Sequence, residues 1–332
     1  MRMFRLVLPA LLSVATVLPA LAKADAPLVD AVRSGDIATV RALLDQGTAV
    51  DARLGDDSTA LQWAVHERRP AMVDLLLEAG ADVSLANRHG VSAVWLAAEN
   101  GDAGILERLL EAGADANRTM SGGETVLMTA ARTGDQETVR LLLERGADPN
   151  AREALRGQTA LMWAAARNNA AVVHVLAEVG ADISARTDNA SSARGRTFAS
   201  APTTGFTPLL FAVRGGHIDA ARVLLDAGAA VDDAVSDGQS ALVLASANAN
   251  WEMAAYLLDR GADPNDAAAG WNALHQTVRT RRMNTGFGTP GPFAAGTLDS
   301  IDLIRKLLAH GVDVNARMTR NGMRDGQRNR FN

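Results

Sequence analysis

The chain reads as an all-α solenoid of about eight helix-turn-helix units joined by β-turn or hairpin loops, and three observations predict it. Glycines close successive apolar helical segments at Gly47, Gly80, Gly113, Gly146, Gly180, Gly228, Gly261 and Gly311, in steps of 33, 33, 33, 34, 48, 33 and 50 residues. A fixed period with two lengthened steps is one supersecondary unit copied along the chain, with two insertions. Upstream of these glycines a second landmark recurs, as in TALQWAV (59–65), TVLMTAA (125–131) and TALMWAA (159–165). Between the landmarks runs an apolar i, i+3, i+4 stripe, Val139, Leu142 and Leu143 in one copy and Val73, Leu76 and Leu77 in another, the spacing of a helix with one buried face. Length alone suggests two globular domains, but the repeat replaces that with one elongated domain over 26–315 in which each unit touches its neighbours.

The N-terminus reads as an address. Arg2 and Arg5 precede an uncharged run from Leu6 to Pro19, and Ala20-Leu21-Ala22 and Ala22-Lys23-Ala24 are small-x-small cleavage patterns. This is the layout of a secretory signal peptide over 1–22, which makes the expected location periplasmic or extracellular. The other reading, an uncleaved anchor, needs a longer run without Pro9 and Pro19, so no stable membrane insertion is expected after cleavage.

The units then follow in order. APLVDAV (26–32) opens a first copy that carries Asp30 where others carry Trp or Phe, as a capping unit with a wet outer side requires. SAVWLAA (92–98), TPLLFAV (207–213), SALVLAS (240–246) and NALHQTV (272–278) complete the set of eight. In the first helices Leu127 shares a face with Ala130 and Ala131, and Leu161 with Ala164 and Ala165, so small residues admit a close second helix. Each second helix is expected to end at its glycine in the left-handed conformation. Period and motif together resemble the ankyrin repeat, a 33-residue unit with the signature T-P-L-H-x-A. Thr207-Pro208-Leu209 keeps the T-P-L, and His275 keeps the His. The resemblance identifies the chain as an ankyrin-repeat protein of the bacterial, exported type. After Asn315 the Arg-rich tail (316–332) stops where another copy would begin; it reads as the start of a further repeat or a disordered end, and the chain as part of a longer protein.

Two insertions interrupt the period. The first, about 186–204, is polar and carries Arg186, Arg194 and Arg196 against Asp188; the second, about 280–297, falls between the two helices of unit eight, with Arg279, Arg281 and Arg282 at its start. Loop-closure entropy grows slowly, so both are tolerable as surface excursions; long loops are also often functional, and the first is a candidate binding element.

Composition excludes several function classes. Net charge is −5 and the chain has no cysteine, so general nucleic-acid affinity, disulfides and thiolate chemistry are not expected. The six histidines are scattered without metal-ligand spacing. Gly238-Gln239-Ser240 begins like a nucleophile elbow but lacks the closing glycine. No catalytic residue, cofactor or metal is therefore assigned, and the chain is read as not an enzyme.

Binding is the remaining chemistry. Two residues beyond the Leu of each first helix stand Trp63, Leu96, Thr129, Trp163, Phe211, Leu244 and Gln276, followed on the same face by His66, Glu99, Arg132, Arg167, Arg214 and Arg279. The resemblance makes this the concave side. The candidate partner-binding residues are Trp63, His66, Arg132, Trp163, Arg167, Phe211 and Arg214, with Arg194 and Arg196 from the insertion. Aromatics supply contact area and arginines pair with carboxylates, which suits a protein partner with an acidic segment. The plainer reading has rings half-buried between neighbouring helices and arginines solvated at helix ends. The function expected is a non-catalytic protein–protein interaction scaffold exported from the cytoplasm. The alternatives are the repeat domain of a larger exported enzyme or receptor continuing beyond residue 332, and a small-molecule or polyanion binder using the Arg-bearing loops.

Overall fold

The computed structural model describes residues 27–188, 204–282 and 296–319. Sixteen helices lie among the described residues, in eight antiparallel pairs. The pairs are α1 (Pro27–Ser34) with α2 (Ile37–Asp45), α3 (Ala60–His66) with α4 (Pro70–Glu78), α5 (Ala93–Asn100) with α6 (Ala103–Glu111), and α7 (Val126–Thr133) with α8 (Gln136–Glu144). They continue as α9 (Ala160–Ala165) with α10 (Ala170–Glu178), α11 (Pro208–Gly215) with α12 (Ile218–Asp226), α13 (Ala241–Ala247) with α14 (Trp251–Asp259), and α15 (Ala273–Arg282) with α16 (Ser300–Ala309). Every substantial helix–helix contact lies within a pair or between consecutive pairs. The all-α solenoid expected from the period is the architecture observed. None of the described helices is long and apolar enough to cross a membrane.

Five of the first helices, α3, α5, α7, α9 and α11, start at a Thr or Ser whose hydroxyl caps them. Thr59, Thr125, Thr159 and Thr207 accept from the backbone N–H three residues on, at 3.2–3.4 Å, which satisfies one of the orphan donors of a helix start. Gln62 and His275 then occupy the same register. The Gln62 Oε1 accepts from Thr59 N at 2.9 Å, and its Nε2 donates to Leu85 O and Val91 O at 3.1 and 3.0 Å. His275 Nδ1 accepts from Asn272 N at 3.2 Å, leaving Nε2–H to donate to Ala316 O at 3.0 Å. Either side chain ties a helix start to the following loop, so Gln replaces His without loss of the tie.

In the first seven pairs the turn holds a left-handed residue, then the N-cap of the second helix. Asp102 and Asp135 use their carboxylates on their own helices, accepting from Ile105 N and Thr138 N at 3.0 and 2.7 Å. Arg69, Asn169, His217 and Asn250 stand at the same place without capping their own helices. They donate backwards instead, to the last carbonyls of the preceding unit's first helix. Asn169 Nδ2 reaches Ala131 O and Arg132 O at 2.8 and 3.1 Å, and Asn250 Nδ2 reaches Val213 O and Arg214 O, both at 3.0 Å. Arg69 Nη2 bonds Arg33 O at 3.0 Å, and His217 Nε2 lies 3.1 Å from Ala166 O. A carboxylate can only accept, whereas amide, guanidinium and imidazole N–H groups donate; the residue type decides which helix end is satisfied. Glycine admits this approach: a methyl group at Gly134 would stand 2.7 Å from Asn169 Oδ1.

The loops form a second seam. Asp82 N, Asp148 N, Asp182 N, Asp263 N and Asp313 N each donate to an Asp or Asn side chain of the preceding loop, at 2.7–3.1 Å. The loop tips also join through backbone bonds, such as Asp188 N to Arg156 O at 2.8 Å and Ser236 N to Thr204 O at 2.9 Å. Asp82 and Asp182 accept from the hydroxyl and N–H of Ser84 and Ser184, and those bonds hold both carboxyls below the ordinary carboxylate value. Isolated antiparallel bridges, Ala86 with Ser92, Thr119 with Thr125 and Ala234 with Ser240, close three of these turns.

The first insertion leaves a closed neck, where Thr187 N donates to Phe206 O at 3.0 Å and Gly205 N to Thr187 O at 3.2 Å. The second begins later than its sequence suggests. Arg279, Arg281 and Arg282 belong to α15, which runs through Arg282, so these arginines are helical rather than on the loop. Its far end is pinned by Glu252, whose Oε1 accepts from Thr297 N at 2.5 Å. Residues 1–26, which include the stretch read as a signal peptide, residues 189–203 with Arg194 and Arg196, residues 283–295 and the tail from 320 lie outside the described residues.

Gly146 has φ +84°, and no atom lies within 4 Å of where a Cβ would sit. Its requirement is therefore conformational, and Gly146→Ala should destabilise by about 1 kcal/mol in urea unfolding. An unchanged midpoint would contradict the cap.

Candidate partner-binding surface

The row of first helices places the candidate residues in three separate groups. At the N-terminal end Trp63 is half-buried on α3 and packs against the core. Its Nε1 donates to Ser58 Oγ at 3.1 Å, and the exposed His66 meets its ring edge-on at 5.6 Å. Arg33, from the preceding unit, lays its guanidinium 4.6 Å from the Trp63 ring centroid, close enough for a cation–π contact.

The middle group is electrically closed. Arg132 Nη2 pairs with Glu99 Oε2 at 2.8 Å, and the guanidinium sits 5.6 Å from the Trp163 ring. Trp163 is half-buried with its Nε1 unpartnered. Arg132 already holds a carboxylate from its own chain.

The third group lies at units five and six. Phe211 is buried, at 6% exposure, and meets Phe206, which is 8% exposed, at 5.4 Å between centroids with the rings tilted by 46°. Arg214 lies over both rings, 4.8 Å from Phe206 and 4.9 Å from Phe211. Burial and, next, the positive charge of Arg156 push its pKa below the ordinary guanidinium value. Arg214, Arg156 and the exposed Arg167 have no carboxylate partner among the described residues.

The expected aromatic stripe is thus not a continuous exposed strip. Thr129, Phe211, Leu244 and Gln276 are buried, while Trp63, Leu96 and Trp163 are half-buried. The physical reason is lateral crowding: α7, for example, has α5 and α9 on its flanks and α8 behind, so only a narrow strip of it meets solvent. Thr129 turns its hydroxyl to Glu124 Oε1 at 2.8 Å. Sequence reasoning missed Phe206, Arg33 and Arg156. Phe206 carried a readable signal, since it precedes the cap Thr207 and meets Phe211 at the fourth helical position, as in a hydrophobic staple.

A family model described as ankyrin repeats (three copies) matches residues 10–87, 94–187 and 194–268. This chain belongs to the ankyrin-repeat family. The ankyrin pair α15–α16 lies beyond the last matched residue, and its place in the stack rests on the structure: α15 packs on α13 and α16 on α14. Ankyrin repeats are in general protein–protein interaction modules and in general non-catalytic. In this ankyrin stack Ser240, the residue of the elbow-like motif, is buried at a helix start and positions no nucleophile at the surface.

If Phe211 serves packing and Trp163 stands at the surface, truncation separates them. Phe211→Ala should cost about 3 kcal/mol or more, and Trp163→Ala clearly less, in urea unfolding. Equal losses would return Phe211 to the exposed strip.

Proposed function

We propose that this ankyrin-repeat chain is an exported, non-catalytic scaffold that binds a protein with an acidic segment through its row of first helices and its loop tips. The observation that carries the reading is the pairing of aromatic rings with guanidinium groups along that row: Arg33 on the half-exposed Trp63, Arg132 on the half-exposed Trp163, and Arg214 over the buried Phe206 and Phe211. Rings give contact area at small entropic expense and arginines pair with carboxylates in two-pronged fashion. The second helices offer less to such a partner, because their charges are engaged between units: Arg108 with Asp74 at 2.7 Å, Arg260 with Asp226 at 2.9 Å and Lys306 with Asp259 at 2.6 Å. Export is supported by the charged start, apolar run and small-x-small sites of residues 1–24, and would place the partner in the periplasm or outside the cell.

Affinity capture from an envelope fraction, with the chain beginning at Lys23, tests this. The wild type should retain specific proteins with Asp/Glu-rich segments. The triple variant Arg132→Glu, Arg167→Glu, Arg214→Glu, shown by circular dichroism to be folded, should lose them. Retention of the same proteins by the triple variant would remove the first-helix row as the binding surface.

A further inference from the structure

At units five and six, guanidinium groups without an ion pair stand beside a pair of aromatic rings. Along the first-helix row Arg132 is neutralised by Glu99, and among the loop arginines Arg152 pairs with Asp188 at 2.9 Å and Arg186 pairs with Asp233. Glu153, the carboxylate nearest in sequence to Arg156, is buried and accepts from Leu155 N, Arg156 N and Gln158 N at 2.5, 2.7 and 3.1 Å. The inserted residues 189–203 contain no Asp or Glu, so they add no carboxylate to this region. What remains is Arg214, held over two rings, and Arg156, whose carbonyl accepts from Asp188 N next to the Thr187–Phe206 neck beneath Arg214 and whose charge acts on Arg214. Two like charges near one another, neither in an ion pair, oppose folding, and the nearby Asp188 carboxylate is engaged by Arg152. An arrangement that is unfavourable alone and relieved by a bound anion is what a recognition point requires.

We propose that Arg156 and Arg214, with Phe206 and Phe211 beneath Arg214, form the anion-recognition point of the surface, and that it takes a carboxylate from an Asp/Glu-rich protein segment with an apolar residue beside it. The inference rests on the protein-binding reading above and names where and by what chemistry the partner is held. The setting favours a peptide carboxylate over a phosphate group. Phosphate sites are generally built from converging backbone N–H groups, and here those groups are occupied by Glu153, by Arg156 O and by Thr204 O. The guanidiniums and the edge of an aromatic pair remain, with the half-exposed Trp163 ring one unit away. That combination suits an extended segment alternating acidic and apolar side chains.

The test uses the full chain and a fluorescein-labelled peptide of alternating Glu and Leu, followed by anisotropy. The wild type should bind it. Arg156→Gln and Arg214→Gln should each weaken binding about tenfold, Arg214→Lys less than Arg214→Gln, and Arg222→Gln, on α12, not at all. A Gln-for-Glu peptide should not bind. The urea midpoint of Arg156→Gln should equal or exceed that of the wild type, because repulsion is relieved. The inference is overturned if both Gln variants bind like the wild type, if the wild type ignores the Glu peptide, or if a phosphoserine-for-Glu peptide binds about tenfold more tightly. If those results come while the wild type still captures acidic proteins from the envelope fraction, this recognition point falls and the wider scaffold reading stands. Loss of capture by the wild type sinks the wider reading instead.

Discussion

A short helix cannot satisfy its own last carbonyls, and this stack solves that problem by handing it to the next unit. Helices of six to ten residues have a large share of their backbone groups at the ends. The donors come from the turn of the following pair: Arg69, Asn169, His217 and Asn250 each reach back across the interface. Gly134 and Gly216 keep the way open, since a Cβ on either would crowd the incoming Asn. Apolar burial acts across the same interfaces, where Leu127, Leu142 and Leu161 are fully enclosed. No unit can therefore be complete alone, and packing and hydrogen bonding fail together when a neighbour is removed.

The same dependence fixes what is left for recognition. Alanines at the packed positions draw second helices close, and the first helices lie side by side, so the free strip is narrow and its rings are half-enclosed. Ion pairs between second helices are exposed and add little, but they consume charge on that side. On the other row arginines remain without an ion pair, among them Arg33 at the N-terminal end and Arg214 beside the neck of the first insertion. Position in the stack, more than residue type, separates Arg132, which is already paired, from Arg214, which is not.

Most of the architecture was legible in the chain because it depends on spacing. The period placed every second-helix terminus, and Gly146 adopts the left-handed conformation its position demanded. The landmarks placed the first helices, and Thr207 caps where T-P-L begins. The site was less legible. Phe211 and Thr129 sit on the face that a single helical wheel assigns to solvent, but a wheel omits the two lateral neighbours. Arg281 and Arg282 read as loop residues because the lengthened step marks an insertion without marking where the helix before it ends. Arg156 could not be found by periodicity at all, since its effect on Arg214 arises across units and across the first insertion.

If completeness belongs to neighbours rather than to a common centre, one whole period can be excised without loss of the fold. Deleting residues 126–158 joins Thr125 to Thr159 and removes α7 and α8 with one loop. Urea unfolding followed by circular dichroism is the direct measurement. A chain that still unfolds cooperatively, with helical signal per residue retained and the denaturant slope lower by about one-eighth, is the predicted result. A deletion product without helical signal or a cooperative transition would show that the units share a centre, and would contradict the account.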